Sequence, residues 1–274
     1  MLARRISTLM VLRALPLLLL AAACAARPVP PASVAASVVP PDQHVPDFAK
    51  RPFEPFSRAN AVGIALREWR AFGSVVDDDP PDSHPLPRSL RPDKQPGLWQ
   101  RVGEYWWLGL DAGSQESGWT SKYDEFGRVY EGDAPAWSAA FISYVMRSAG
   151  ARDRFIYSPM HADYINAAAQ GIGALRTERP EAYAPQPGDL ICVSRSRVHA
   201  MRFEDLSGAR FFGHCDLVTT VQPGQLTVVG GNVDGGVTMK HVPTTLSGRL
   251  SGGDGQVVDS RYSWFVVVRV LYDE

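Results

Sequence analysis

Two kinds of apolar spacing follow one another along this chain, and their order narrows the fold more than any other feature. From 58 to 170 apolar residues recur three and four apart. Ala61, Ile64, Ala65, Leu66, Trp69 and Phe72 mark 58–72, and Trp99, Tyr105, Trp106 and Trp107 mark 98–110. Ala139, Phe141, Ile142, Val145, Met146 and Ala149 mark 137–149, and 161–170 follows with a fourth segment. This spacing gathers side chains on one helix face. From 189 onward the pattern changes to short apolar runs, at 189–194, 214–221, 225–229, 237–242 and 264–272, parted by turns such as Pro223-Gly224. Such runs predict strands. Helices first and an antiparallel run afterwards predict an α+β domain, with 137–149 as its central helix between a breaker at 132–135 and Gly150. The stretch 77–97, with Asp77-Asp78-Asp79-Pro80-Pro81, predicts a surface loop without regular structure.

The N-terminus carries Arg4, Arg5 and Arg13 ahead of the short apolar run 14–23, the charge and length pattern of a secretory signal. The run is too short to span a bilayer, which needs about twenty apolar residues. It ends Leu20-Ala21-Ala22-Ala23-Cys24, which resembles a bacterial lipoprotein box whose cysteine is lipidated and becomes the mature N-terminus. Ala21 stands where such boxes usually have leucine, so plain cleavage near Ala26 stays open. Ala25 after the cysteine implies, by that resemblance, the periplasmic face of the outer membrane. The expected organisation is a signal at 1–23, a tether at 24–55 and one domain at 56–274 with a helical extension at 56–130. In extended polyproline geometry, about 3 Å per residue, the Pro-rich tether would place the domain up to roughly 80 Å from its anchor.

At 274 residues, 45% of them hydrophobic and 21% charged, the chain suffices for one good core. A net charge of -1 provides no basic field for nucleic acid or an acidic membrane surface. The six histidines show no His-x-x-x-His and the cysteines no Cys-x-x-Cys, so neither a metal nor another cofactor is expected. With Cys24 lipidated, Cys192 and Cys215 remain, and the sequence leaves open a disulfide or two buried thiols.

Ser138 opens the central helix, where unpaired backbone N–H groups and the helix dipole favour developing negative charge. It is the candidate nucleophile, although serine at a helix start is commonly a plain cap. Strand alternation puts His214 and Asp216 on one face and turns Cys215 inward. Asn232 follows on the next strand. Ser138, His214 and Asn232 suggest a nucleophile, a base and an orienter, with Asp216 as a second candidate orienter. Trp137 and His161 are candidate substrate-binding residues; for His161 a capping or packing role is the commoner outcome.

The segment Trp137-Ser138-Ala139-Ala140-Phe141-Ile142-Ser143-Tyr144 is similar to the Trp-Cys-Ala-Ala-Phe-Val-Ser-Trp helix of CHAP and NlpC-type peptidoglycan hydrolases. Pro187-Gly188-Asp189-Leu190-Ile191 resembles their first strand, His214-Cys215-Asp216-Leu217-Val218 their His-Val-Gly-Ile-Val strand, and Gly230-Gly231-Asn232 their Glu-Gly-Asn. The helices from 58 onward and the Trp-Ser variant look like an uncharacterised bacterial lipoprotein family, a domain of unknown function, allied to that superfamily. The resemblance implies a papain-like fold with the central helix packed on an antiparallel sheet. It also implies an envelope protein acting on amide bonds of peptidoglycan peptides.

Two positions depart from the pattern: Ser138 replaces the cysteine, and Gly230 replaces a frequent acidic residue. A cysteine beside His at a helix start can exist as a thiolate, with a pKa lowered to about 3.5–7.5. Serine cannot, and must lose its proton during attack to a base whose cation needs support. Asn232 is neutral, and in the serine-protease example replacing the triad Asp by Asn lowers turnover about 10⁴-fold. A catalytically silent peptidoglycan- or protein-binding module and a serine esterase or acyltransferase are therefore the alternative expectations.

Overall fold

The computed structural model describes residues 55–81, 83–110, 136–195, 201–206 and 208–273. The expectations for Cys24, the signal and most of the tether lie outside the described residues, as does the 132–135 breaker. Four helices precede or flank six strands: α1 Arg58–Ala71, α2 Leu98–Gly109, α3 Ser138–Ser148, α4 His161–Ala169, β1 Leu175–Glu178, β2 Leu190–Ser194, β3 Gly213–Gln222, β4 Gln225–Val233, β5 Gly236–Pro243 and β6 Trp264–Val270. None of the described helices is long and apolar enough to cross a membrane. The loop expected at 77–97 does hold structure: two one-turn 3-10 segments, Arg88–Leu90 and Pro92–Lys94. Proline fixes φ there and restricts its neighbours, so a polar, Pro-rich stretch still forms defined turns.

The strands form one antiparallel sheet in the order β1-β6-β2-β3-β4-β5. β3 to β5 run as a meander because two-residue turns, 223–224 and 234–235, join them, whereas β2 reaches β3 through the longer connection 195–212; β6 returns between β2 and β1. Alternation divides the strand side chains between two buried clusters. Leu190, Cys192, Cys215, Leu217 and Val229 join the helices, whereas Ile191, Val193, Val218, Val228 and Trp264 form a second cluster. By the same parity His214 and Asp216 share a face with Val218, and Lys240 shares one with Val242.

α3 lies against β3, β4 and α2, and every residue from Ser138 to Met146 is buried. Burying a side chain such as Phe141, Ile142 or Met146 contributes about 1.5–3 kcal/mol, so this helix is fixed by packing. The approach to β4 is close: a Cβ on Gly231 would come within 2.7 Å of Phe141. Cys192 and Cys215 face each other across β2 and β3 and form a disulfide.

Asp189, in the Pro-Gly-Asp-Leu segment, has a structural role. Its carboxylate accepts hydrogen bonds from Gln186 N at 2.9 Å, Tyr183 Oη at 3.0 Å and Val270 N at 3.1 Å, tying the turn before β2 to the end of β6. Burial raises its pKa despite these bonds.

Candidate functional site

Ser138 is the first residue of α3, after Trp137 at the cap position. Trp137 is held from below. Its indole N–H donates to Asp93 Oδ2 at 3.3 Å, and its ring lies 5.7 Å from that of Tyr105 and 5.9 Å from that of Phe72. Asp93 is itself buried and clamped by the Arg91 guanidinium at 2.9 Å and 3.2 Å. At 1% exposure Trp137, expected to bind substrate, is packed into the core at the helix start.

The hydrogen bond of the Ser138 hydroxyl goes to His161 Nε2, at 2.7 Å, rather than to His214. His161 opens α4, and its Nδ1 meets the Tyr164 hydroxyl. Residues three apart on a helix share a face, which is why the His161-x-x-Tyr164 pair forms locally. The start of α4 is pinned to α3 by Ser143: its Oγ donates to Ser158 O and accepts from Ser158 N, each at 3.2 Å. Ser158 Oγ in turn accepts from Met160 N at 3.0 Å and donates to Asp163 at 2.7 Å. The serine five residues after Ser138 thereby sets where the imidazole stands.

His214 belongs to a second group. Its Nε2 lies 2.9 Å from Asp216 Oδ1, and Lys240 Nζ donates to Asp216 Oδ2 at 2.6 Å. Burial alone would raise the Asp216 carboxyl, but Lys240 and then His214 outweigh it and hold the pKa well below the usual carboxylate range. Asp216 is therefore ionised and accepts the Nε2–H of a neutral imidazole. Nδ1 is left without a proton, buried and without a hydrogen-bond partner. Asp216, the second candidate orienter, meets the ring at Nε2 from two residues along the same strand.

Gly230 makes this arrangement possible. A Cβ there would stand 1.8 Å from Asp216 Oδ1 and 3.1 Å from His214 Nε2. The carboxylate beside the imidazole thus comes from Asp216 through space that a side chain at 230 would fill. Asn232, expected as an orienter, sits at a β4–β5 register shift with φ of 58°. No hydrogen bond joins it to either imidazole among the described residues.

The two groups meet through tilted rings, with the His161 and His214 centroids 5.3 Å apart and their planes at 56°. Ser138, His161, His214 and Asp216 are 7%, 5%, 2% and 0% exposed. Two cavities, of about 220 Å³ beside Phe72 and about 330 Å³ between Arg179 and Trp264, include none of these four residues. Burial lowers both imidazoles, His214 to about 4 and His161 well below 6.5, and Arg195 pushes both the same way. Burial pushes the Tyr164 phenol well up, so it is neutral behind His161.

These shifts predict acid sensitivity. An imidazole whose pKa falls from 6.5 unfolded to about 4 folded binds fewer protons in the native state, so stability declines as pH drops from about 6.5 to about 4. His214 accounts for roughly 3 kcal/mol of that decline at 1.36 kcal/mol per unit, and His161 adds in the same direction. Denaturant titrations at pH 7 and pH 4.5 measure it. A decline that is shallower in His214→Gln is expected; identical curves for both proteins at both pH values contradict a neutral buried imidazole.

A sequence model of the bacterial family described as an uncharacterized protein conserved in bacteria, DUF2272, matches residues 93–270. The chain belongs to this family. The matched region of the DUF2272 domain begins at Asp93, beneath Trp137, and takes in Ser138, Tyr164, both imidazoles, Asp216 and Lys240. No curated protein and no solved structure matches the chain.

Proposed function

We propose that the chain is an exported, lipid-anchored envelope protein whose papain-like domain hydrolyses amide bonds of peptidoglycan peptides through Ser138, with His161 as its base. The observation that carries this reading is the 2.7 Å contact between Ser138 Oγ and His161 Nε2 at the head of α3. A central helix on an antiparallel sheet, with the hydroxyl at its N-terminus, is the arrangement that the CHAP and NlpC resemblance implies. A disulfide is compatible with an oxidising compartment and so with export.

In this mechanism Ser138 Oγ attacks the carbonyl carbon while its proton passes to His161 Nε2. The tautomer that does this carries its proton on Nδ1 and donates it to the Tyr164 oxygen. The oxyanion develops beside the unpaired N–H groups of the first turn of α3. His161 then returns the proton to the leaving amine, and water hydrolyses the acyl-serine by the same route. A neutral phenol supports the imidazolium less well than a carboxylate, so turnover is slow.

A second reading, a binding module that does not turn over, is favoured by that same phenol and by the 7% exposure of Ser138. The full chain and its Ser138→Ala, Ser138→Cys and His161→Gln variants, incubated with peptidoglycan and followed by mass spectrometry of released fragments, separate the two. The hydrolase reading expects release by wild type, none by Ser138→Ala, and a loss of about 10²–10⁴-fold in His161→Gln. Release by Ser138→Cys alone would establish the silent module.

A further inference from the structure

Beside the buried cluster, Arg195 is an exposed cation whose side chain has no hydrogen-bond or ion-pair partner among the described residues. Arg195 follows β2 directly, and its backbone N donates to Phe212 O at 2.8 Å, continuing the β2–β3 ladder past Ser194↔Gly213. Val193 pairs with His214, and Arg195, two residues on, lies on the same face. It is therefore the diagonal neighbour of His214, at a separation of about 7–8 Å that a long side chain spans.

Its diagonal neighbour carries an unsatisfied acceptor. His214 Nδ1 is buried with no partner, while Nε2 is committed to Asp216. The other buried polar atoms without partners, on Trp106, Tyr157 and Asn166, belong to side chains outside the hydroxyl–imidazole group. A buried acceptor without a donor carries an unrepaid desolvation cost, which a donor from a ligand removes. Arg195 does not assist the base, because its charge opposes a proton on either ring. A guanidinium in that place suits an anion, and its planar fork matches a carboxylate.

We propose that Arg195 and His214 Nδ1 form a subsite for the C-terminal residue of a peptide with a free carboxylate. Such a residue presents both required groups one carbon apart: an amide N–H for Nδ1 and a carboxylate for the guanidinium. The substrate class is thereby narrowed to carboxy-terminal peptides, approaching from the side that Arg195 marks as open. This rests on the hydrolase reading for its meaning as a substrate, though not for its detection as a site.

The test is binding without turnover. The full chain carrying Ser138→Ala is titrated with N-acetyl-D-alanyl-D-alanine and with the same dipeptide as its carboxamide, and the histidine ring signals are followed by NMR. The acid is expected to bind at least about ten times more tightly than the amide, from one charge-assisted hydrogen bond, and to shift the His214 ring signals. Arg195→Gln is expected to remove the preference and Arg195→Lys to retain part of it. Equal binding of acid and amide, no binding of either, or a preference that persists in Arg195→Gln would overturn the subsite. A preference seen in Ser138→Ala while the wild-type chain releases nothing from peptidoglycan would instead leave the subsite standing and remove the hydrolase reading.

Discussion

Lys240→Met is expected to destabilise the protein by about 3–5 kcal/mol, the cost of breaking a buried ion pair from one side. Methionine fills nearly the same volume, so the loss is electrostatic. Asp216 is 0% exposed and Lys240 1%, and without the ammonium the carboxylate keeps only the His214 N–H. For a domain of this size the melting temperature should fall by roughly 6–20 °C. Adding Asp216→Asn removes the uncompensated charge and preserves an acceptor for Nε2–H. The double variant is therefore expected to recover most of the loss. Denaturant unfolding of the wild type, Lys240→Met and the double variant measures both effects. A single-variant cost under about 1 kcal/mol, well below the range for a broken buried pair, would mean that Lys240 does not hold Asp216.

That network was half legible in the sequence. Strand alternation placed His214 and Asp216 on one face, because period two is a local property. Lys240 escaped notice, since a lone lysine in an apolar strand reads as solvated until the neighbouring strand supplies its carboxylate. Gly230 was visible as a departure from the family pattern, but its reason, room for Asp216 Oδ1, exists only once β3 and β4 are paired. His161 had a local signal in the His161-x-x-Tyr164 spacing. Its partnership with Ser138 depends on the Ser143–Ser158 anchor between α3 and α4, a contact across the connection 149–160 that no periodicity describes.

The same division holds for the fold. The four helices were readable because buried stripes dominate them, and the strands from β2 onward because their apolar runs stand between clear turns. β1 was missed: Leu175–Glu178 is a four-residue edge strand with one buried side chain, Leu175, so its sequence carries almost no alternation. β4 extends past the apolar run 225–229 to Val233, and Gly230 and Gly231 within it are small for reasons of packing. Asp93 and Glu68 are buried acids, and part of what holds each comes from elsewhere in the chain. Glu68 accepts from Arg101 Nε at 2.6 Å and Tyr105 Oη at 2.7 Å, and charge alone would have placed it at the surface.

The second large effect concerns the hydroxyl itself. A serine whose proton is accepted by an imidazole reacts with a fluorophosphonate, whereas a serine that only caps a helix does not. General-base assistance contributes about 10²–10⁴-fold, and His161→Gln keeps a polar contact for Oγ while removing the base. His214→Gln leaves the hydroxyl's own partner in place, so its effect on this reaction should be much smaller. Thermal melts of each variant separate lost reactivity from lost folding.

Intact-mass measurement of the fluorophosphonate labelling rate at Ser138 therefore tests the pairing of Ser138 with His161 most directly. The expected result is one adduct per chain, absent in Ser138→Ala and slowed at least about a hundredfold in folded His161→Gln. Equal labelling of wild type and His161→Gln, or no adduct on the wild type, would contradict it.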